Sequence, residues 1–337
     1  MLVVHHPDQA LHDPAVVFRG GKFIDQPDHA ERYRIFLSTM IDGGHQITEA
    51  RFGELDRITE IHCADYIEFL RTAYDRWSAH GDYGPEVVAN VHATRRMHRK
   101  PTELLGELGW YSNSTSCPMQ AGTWQAVYAS AQTALHGADL LQAGTGNVYA
   151  LCRPPGHHAY SDLMSGMCFL NNAAMAAHQL TKRYGRVAIV DIDVHHGNGT
   201  QSIFWDRADV LFCSIHVDPS EAAPYYAGYA DETGAGPGKD LNFNQPLPLG
   251  TEDNVWLEAV DRALAKVRHY GAEALVVSLG LDAAEYDPVS AFKITHDGFS
   301  AAGSRFRGLG LPTLLVQEGG YLSPQLGSYL RSFMHAF

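Results

Sequence analysis

The sequence predicts an α/β fold: one domain built on a mostly parallel, multi-stranded sheet with helices on both faces. Three observations predict it. Five short apolar runs recur along the 337 residues: VYALC (148–152), VAIVDID (187–193), VLFCSIH (210–216), ALVVSLGLD (274–282) and TLLVQEGG (313–320). Near-continuous apolar strands are those buried on both faces, as in parallel sheets. Apolar residues at helical spacing fill 121–144, 171–184 and 252–270, and strands alternating with helices imply parallel crossovers. There is no internal repeat and no low-complexity linker, and 45% of residues are hydrophobic. That suits one large core over 1–337 better than two small ones.

Composition excludes several classes. A formal net charge of −13 lacks the basic footprint of a nucleic-acid binder. It reads as ordinary acidic solubility, or as a field that gathers cationic substrates. No apolar run approaches the roughly 18 residues of a membrane span. The N-terminal MLVVHHPDQALHDP has neither a basic leader nor a long apolar stretch, so no signal peptide is expected. Five cysteines without a CxxC pair suit reduced thiols in a cytoplasm.

The strand ends carry the chemistry. VYALC runs into RPPGHH, VAIV into DIDVHHGNG, LVVSLG into LD, and TLLVQ into EGGY. Ligands of open α/β sheets bind outside the carboxyl ends of strands, so four such ends imply one crevice. Alternation along the VAIV strand puts Asp191, Asp193 and His195 on one face. Carboxylates that close repel unless a cation sits between them. With Asp282 ending another strand, Asp193, His195 and Asp282 form a three-ligand set with an open position, the pattern of catalytic zinc. Oxygen and nitrogen donors also suit iron(II), cobalt or manganese. Asp191 is better placed as an acceptor that orients a histidine. His157 and His158 supply acid–base groups titrating near neutrality. Gly320 lets the backbone come close, and Tyr321 can donate to a carbonyl oxygen as it gains charge. One segment, 76–118, breaks the rhythm. It is long, polar and Gly/Pro-rich, with a basic run at Arg95, Arg96, Arg99 and Lys100. It reads as a loop that covers the site or contacts another subunit.

At this point the motifs match a known family. RPPGHHA, GMCFLNNAA, DIDVHHGNGT, SIHVDP, SLGLDA and EGGY closely resemble the zinc-dependent histone deacetylase superfamily, hydrolases of the arginase–deacetylase fold. YYAGYADETGAGPG (225–238), DPVSAFKIT (287–295) and the 76–118 insertion look most like its bacterial acetylpolyamine amidohydrolases. The resemblance implies one zinc on Asp193, His195 and Asp282, with Fe2+ or Co2+ as alternatives. It implies His158 as general base and acid oriented by Asn198, His157 as a helper paired to Asp191, and Tyr321 beside the acetyl carbonyl. It implies structural potassium at Asp191, Ser214 and Ile215 with the backbone of Asp193 and His195, and a second monovalent site at Phe204, Arg207 and Val210. Gly166, Met167 and Tyr226 match tunnel walls, Met167 standing where an aromatic is usual.

The resemblance also implies a homodimer through the insertion and a small acetylated amine as substrate. Acidic residues that receive a distal ammonium in one branch of the family align with Leu105 and Ser116, with Glu103 and Glu107 as nearby substitutes. Short acetylated diamines are therefore expected over long polyamines. A protein or peptide lysine deacetylase with the same chemistry is the alternative. A silent acetyl-ligand sensor would have lost Tyr321 or a catalytic histidine, and arginase-like chemistry would need a second metal set.

Overall fold

The computed structural model describes residues 1–94 and 96–337; Arg95 of the basic run lies outside the described residues. Strands β1 (Leu2–His5), β4 (Gln46–Glu49), β5 (Val148–Ala150), β6 (Val187–Asp191), β7 (Val210–Val217), β8 (Asn242–Leu247), β9 (Ala274–Leu279) and β10 (Thr313–Gln317) form one sheet in the order β4-β1-β5-β10-β9-β6-β7-β8. Every pairing in it is parallel. A separate antiparallel hairpin joins β2 (Val16–Arg19) to β3 (Lys22–Asp25). The helices are α1 (Ala30–Asp42), α2 (Asp56–Thr59), α3 (Ala64–Ser78), α4 (Leu104–Trp110), α5 (Thr123–Gln142), α6 (Asn172–Tyr184), α7 (Asn198–Phe204), α8 (Asp253–Tyr270), α9 (His296–Arg307) and α10 (Leu326–Ala336).

Alternation along each strand divides the core in two. Val4, Val148, Ala150, Val187 and Ile189 face one cluster with α3, α5 and α6. Val3, Tyr149, Ala188 and Val190 face the other, with α1, α8, α9 and α10. All five β6 side chains are buried, each large apolar one contributing about 1.5–3 kcal/mol. This two-sided burial is why the central strands read as unbroken apolar runs. The edge strands β4 and β8 were not legible in that way. β4 exposes both ends, and β8 reads NFNQPL, polar and with Pro246 inside it.

Two expectations need correcting. The strands stop short of their functional residues: β6 ends at Asp191 and β9 at Leu279. Beyond β6 the amides of Asp193, Val194 and His195 donate to carboxylates, and beyond β9 Leu281 N donates to the Gly319 carbonyl, so neither chain continues the ladder. The 76–118 segment, read as a loop, is not loop throughout. It contains α4, and its Val87, Leu104, Leu108, Tyr111 and Cys117 are buried in the α5–α6 core. Polar residues around these five masked the anchoring positions.

Candidate active site

The site is built by side chains that bond to the backbone ahead of them. Asp191 Oδ1 accepts from Asp193 N at 3.1 Å, and Asp193 Oδ1 accepts from His195 N at 2.9 Å. Short acidic side chains compete with secondary structure in this way. The resulting turns, not strand alternation, aim Asp193 and His195 into the crevice. Asp282 Oδ1 accepts from Val194 N at 3.0 Å, and Asp193 Oδ2 from Gly319 N at 2.9 Å. Three loops are thus tied together by two carboxylates.

Asp193, His195 and Asp282 offer ligand atoms all within 4.8 Å of one another. Asp193 and Asp282 are buried. Burial, reinforced by the charge of Asp193, raises the Asp282 carboxyl to about 7. Two desolvated carboxylates held this close are costly without a counter-charge. A compact divalent cation meets the need, and the donor set fits it. Space for it depends on glycine. A Cβ at Gly319 would lie 2.4 Å from Asp282 Oδ2 and 2.5 Å from Asp193 Oδ2. Gly319→Ala is therefore expected to displace both carboxylates and weaken metal binding at least tenfold, about the loss typical of disturbed ligand support. Competition with a fluorescent zinc chelator would measure it; unchanged affinity would contradict the geometry.

The histidines are differentiated by their neighbours. His157 Nδ1 lies 3.0 Å from Asp191 Oδ2. Burial opposes charge on His157, but the carboxylates of Asp193 and Asp191 outweigh it and hold the imidazole well above its usual pKa. His158 lies beside it, ring centroids 4.0 Å apart. Burial, then the charges of His157 and His195, push it well below the usual value. His158 Nδ1 lies 2.6 Å from Asn198 Oδ1, and the Asn198 amide donates to Tyr160 Oη at 2.9 Å. Assigning the His158 proton to Nδ1 by that contact leaves Nε2 free to accept one. One histidine is poised as a cation and the other as a neutral base.

Tyr321 is buried, and its amide donates to Asp287 Oδ2 at 2.6 Å. The Arg32 guanidinium sits 4.6 Å from its ring centroid. Burial holds the phenol well above its usual pKa, against the pull of Arg32, so it stays a donor. Arg32 also donates to the carbonyls of Gly320 and Glu318, and pairs with Asp28. Asp28 in turn accepts from Arg153 at 3.0 Å. Glu318 Oε2 accepts from the amides of Gly156 and His157. Sequence reasoning assigned no role to Asp28, Arg32, Glu318, Asp287 or Tyr160. The Asp28–Arg32 spacing at the start of α1 is the i,i+4 signature that could have flagged the first two.

His158, His195 and Tyr321 open into a cavity of about 290 Å3 also lined by Gly166, Met167, Gln26, Pro27, Tyr225, Val289, the β2 residues 17–19 and Ser114, Thr115 and Ser116. Gly166 and Met167 both have left-handed backbone, φ +53° and +67°. A Cβ at Gly166 would come within 2.3 Å of the His158 ring. Tyr226, expected in the wall, is instead 93% exposed. Tyr225 carries φ +62°, and this left-handed turn gives Tyr225 the cavity and sends Tyr226 outward. Gly320 does not line the cavity either; its φ of +109° and its Arg32-bound carbonyl turn the chain to aim Tyr321. Glu103 and Glu107 are committed elsewhere. Glu103 caps α4, and Glu107 pairs with Arg76.

The residues expected around potassium are adjacent. The β6–β7 register sets Asp191 opposite Ser214, followed by Ile215. Phe204, Arg207 and Val210 share the turn between α7 and β7, where Arg207 N donates to Phe204 O and its side chain pairs with Asp209.

Comparisons with known proteins agree with this architecture. The histone deacetylase domain family matches residues 26–337. The acetylpolyamine amidohydrolase of Mycoplana ramosa is 41% identical over 330 residues, covering 97% of this chain and 96% of its own. Acetylpolyamine amidohydrolase 1 of Pseudomonas aeruginosa is 43% identical over 334 residues, with the same coverage. The crystal structure of an acetylpolyamine aminohydrolase from Burkholderia pseudomallei superposes with a TM-score of 0.97 at 40% identity, covering 100% of this chain and 98% of that one. The chain belongs to the histone deacetylase family, and its sheet is that of the arginase–deacetylase fold.

Proposed function

We propose that this protein is a metal-dependent amidohydrolase that releases acetate from N-acetylated polyamines and short diamines such as acetylcadaverine and acetylputrescine. One observation carries the reading: His195 of the metal-ligand triad, the neutral His158 and the buried Tyr321 line one cavity, with the charged His157 directly behind His158. Full-length relatives named acetylpolyamine amidohydrolase support the substrate class.

Asp193, His195 and Asp282 would hold a divalent cation, zinc or else Fe2+ or Co2+, which supplies Lewis acidity to polarise the acetyl carbonyl and acidify water. His158 Nε2 takes a proton from water as its oxygen bonds to the acetyl carbon. The Tyr321 hydroxyl donates to the carbonyl oxygen as it gains charge. His157, kept cationic by Asp191, adds a fixed positive charge to the same region. The histidine proton then passes to the amine nitrogen as the C–N bond breaks, giving acetate and free amine. We further propose structural potassium at the Asp191–Ser214–Ile215 cradle and a second monovalent ion at Phe204, Arg207 and Val210. The 76–118 segment completes the entrance and pairs two copies of a cytoplasmic enzyme. Support comes from Ser114–Ser116 in the cavity wall and from exposed Val91 and Met97.

The test is a ratio of kcat/KM for acetylcadaverine, acetylspermidine and an acetyl-lysine peptide with zinc-loaded protein. A strong preference for the free amines is expected. Equal or faster peptide turnover would make the protein a lysine deacetylase with an open entrance.

A further inference from the structure

We propose that Glu232 is a positioning residue for substrate binding: its carboxylate clasps the 225–229 turn and thereby holds Tyr225 in the cavity wall, against the amine arm of the substrate. The inference rests on the amidohydrolase reading above and adds to it a residue that touches none of the reacting atoms.

Tyr225 itself calls for the explanation. It lines the cavity with a left-handed backbone, φ +62°. A residue other than glycine keeps that conformation only where its surroundings over-determine it. Here they do. Tyr225 O accepts from the Tyr229 hydroxyl at 3.0 Å, and Tyr229 O accepts from the Asn244 side-chain amide at 3.1 Å. Gly228 lies between the two tyrosines, and both its backbone polar groups are held. Its N–H donates to Glu232 Oε2 at 2.8 Å, and its carbonyl lies 2.8 Å from His216 Nε2. The turn is packed closely as well: a Cβ on Gly228 would lie 2.8 Å from both His196 Cγ and His216 Nε2.

Glu232 gathers these ties. Besides Gly228, its Oε2 accepts from the Gln201 side-chain amide at 2.7 Å, and its backbone carbonyl accepts from Asn242 Nδ2 at 2.6 Å. Gln201 Oε1 accepts from Asn242 and Asn244 at 2.9 and 2.8 Å. Hydrogen bonds to a carboxylate are stronger than those between neutral groups, so the clasp is firm. It also accounts for the polar sequence of β8. Asn242 and Asn244, two residues apart, share one face, and that face binds the loop. Gln201 stands one turn beyond Asn198 on α7, so a second route runs toward His158. The wall is favoured because the backbone group that the Glu232 carboxylate holds belongs to the turn, whereas Asn198 has its own partners in His158 and Tyr160.

The test is a double-mutant cycle read on KM for acetylcadaverine with metal-loaded enzyme. Glu232→Ala is expected to raise KM about tenfold, the scale of one hydrogen bond to a charged group, with kcat within about twofold of wild type. Glu232→Gln keeps an oxygen for Gly228 N and should stay within about threefold of the wild-type KM. Tyr225→Ala should raise KM to a similar extent. The double variant should be little worse than either single one, because a residue acting through another does not add to it. Should Glu232→Ala lose its cooperative melt, Glu232→Asp, with the carboxylate drawn back by one methylene, takes its place in the cycle. An unmoved KM or additive KM effects overturn the inference. So does a fall in kcat at unchanged KM with a displaced pH profile, which would route Glu232 through Asn198 and His158. These outcomes leave the amidohydrolase reading standing. A wild-type enzyme that hydrolyses neither acetylcadaverine nor acetylspermidine overturns both.

Discussion

Tyr321→Phe is expected to lower kcat on acetylcadaverine about 10²- to 10³-fold, with KM changed by no more than about twofold, the range seen when one preorganised donor to a developing oxyanion is lost. The prediction follows from where the phenol sits. Its ring is fixed beneath the Arg32 guanidinium, and its amide is tied to Asp287. Both restraints survive in phenylalanine, so the substitution removes one hydroxyl and little else. Burial keeps the phenol protonated at working pH, so what is lost is a hydrogen-bond donor rather than a charge. Because the oxygen it serves becomes strongly basic only in the transition state, the loss should fall on kcat. Steady-state kinetics beside a thermal melt would decide the matter. A variant with near-wild-type kcat would remove Tyr321 from the chemistry. A variant that had lost its cooperative melt would show that the hydroxyl serves packing.

The ring's position also explains a buried charge network that the sequence did not announce. Arg32 and Arg153 are both 1% exposed and share Asp28. Such a group is expensive to bury and is poor evidence of stability for its own sake. Here Arg32 holds the backbone carbonyls on either side of Gly319 as well as the face of Tyr321. The network therefore fixes the EGGY turn against the sheet. A rigid turn is what a donor acting on a transient charge requires.

How much of this was legible depended on how local the signal was. The central strands were readable because two-sided burial forces an apolar run, as VAIV in β6 shows. The metal triad was readable because Asp193, His195 and Asp282 follow such runs directly. The reason for their convergence was only half right. Alternation along an extended strand was expected to align them, whereas Asp191 and Asp193 bond the amides two residues on and bend the chain. Tyr226 was placed in the wall by resemblance alone, and the left-handed residue at 225 puts Tyr225 there instead. Tertiary partners were least legible. Nothing near Asn198 in sequence announces Tyr160, and nothing near His157 announces Glu318.

Asp282→Asn should separate the catalytic role of the triad from its structural cost. Asp282 Oδ1 accepts from Val194 N, which the Asn amide oxygen can still do, so the fold has no reason to collapse. What disappears is one anionic ligand. Zinc bound per chain, measured by elemental analysis after dialysis, is expected to fall well below one equivalent. kcat/KM should drop by at least about 10³-fold, since Lewis-acid polarisation contributes several kcal/mol to such reactions. Stability should move the opposite way in metal-free protein. In the fold the Asp282 carboxyl titrates near 7 rather than its usual 3.8, through burial and then the charge of Asp193. Between those two values the folded state holds more protons than the unfolded one. The contribution of Asp282 therefore makes folding less favourable as pH rises through that window, and its cost is fully present above 7. Chelator-treated Asp282→Asn should accordingly melt higher than chelator-treated wild type at pH 8, with the gap closing as pH falls toward 4. Adding zinc should raise the wild-type melting temperature, because a ligand that binds only the folded state stabilises it, and should leave the variant nearly unmoved. Equal zinc shifts in both proteins would mean that the ion sits elsewhere. A metal-free variant that melts lower than wild type at every pH would mean that the Asp282–His195 contact outweighs the repulsion from Asp193.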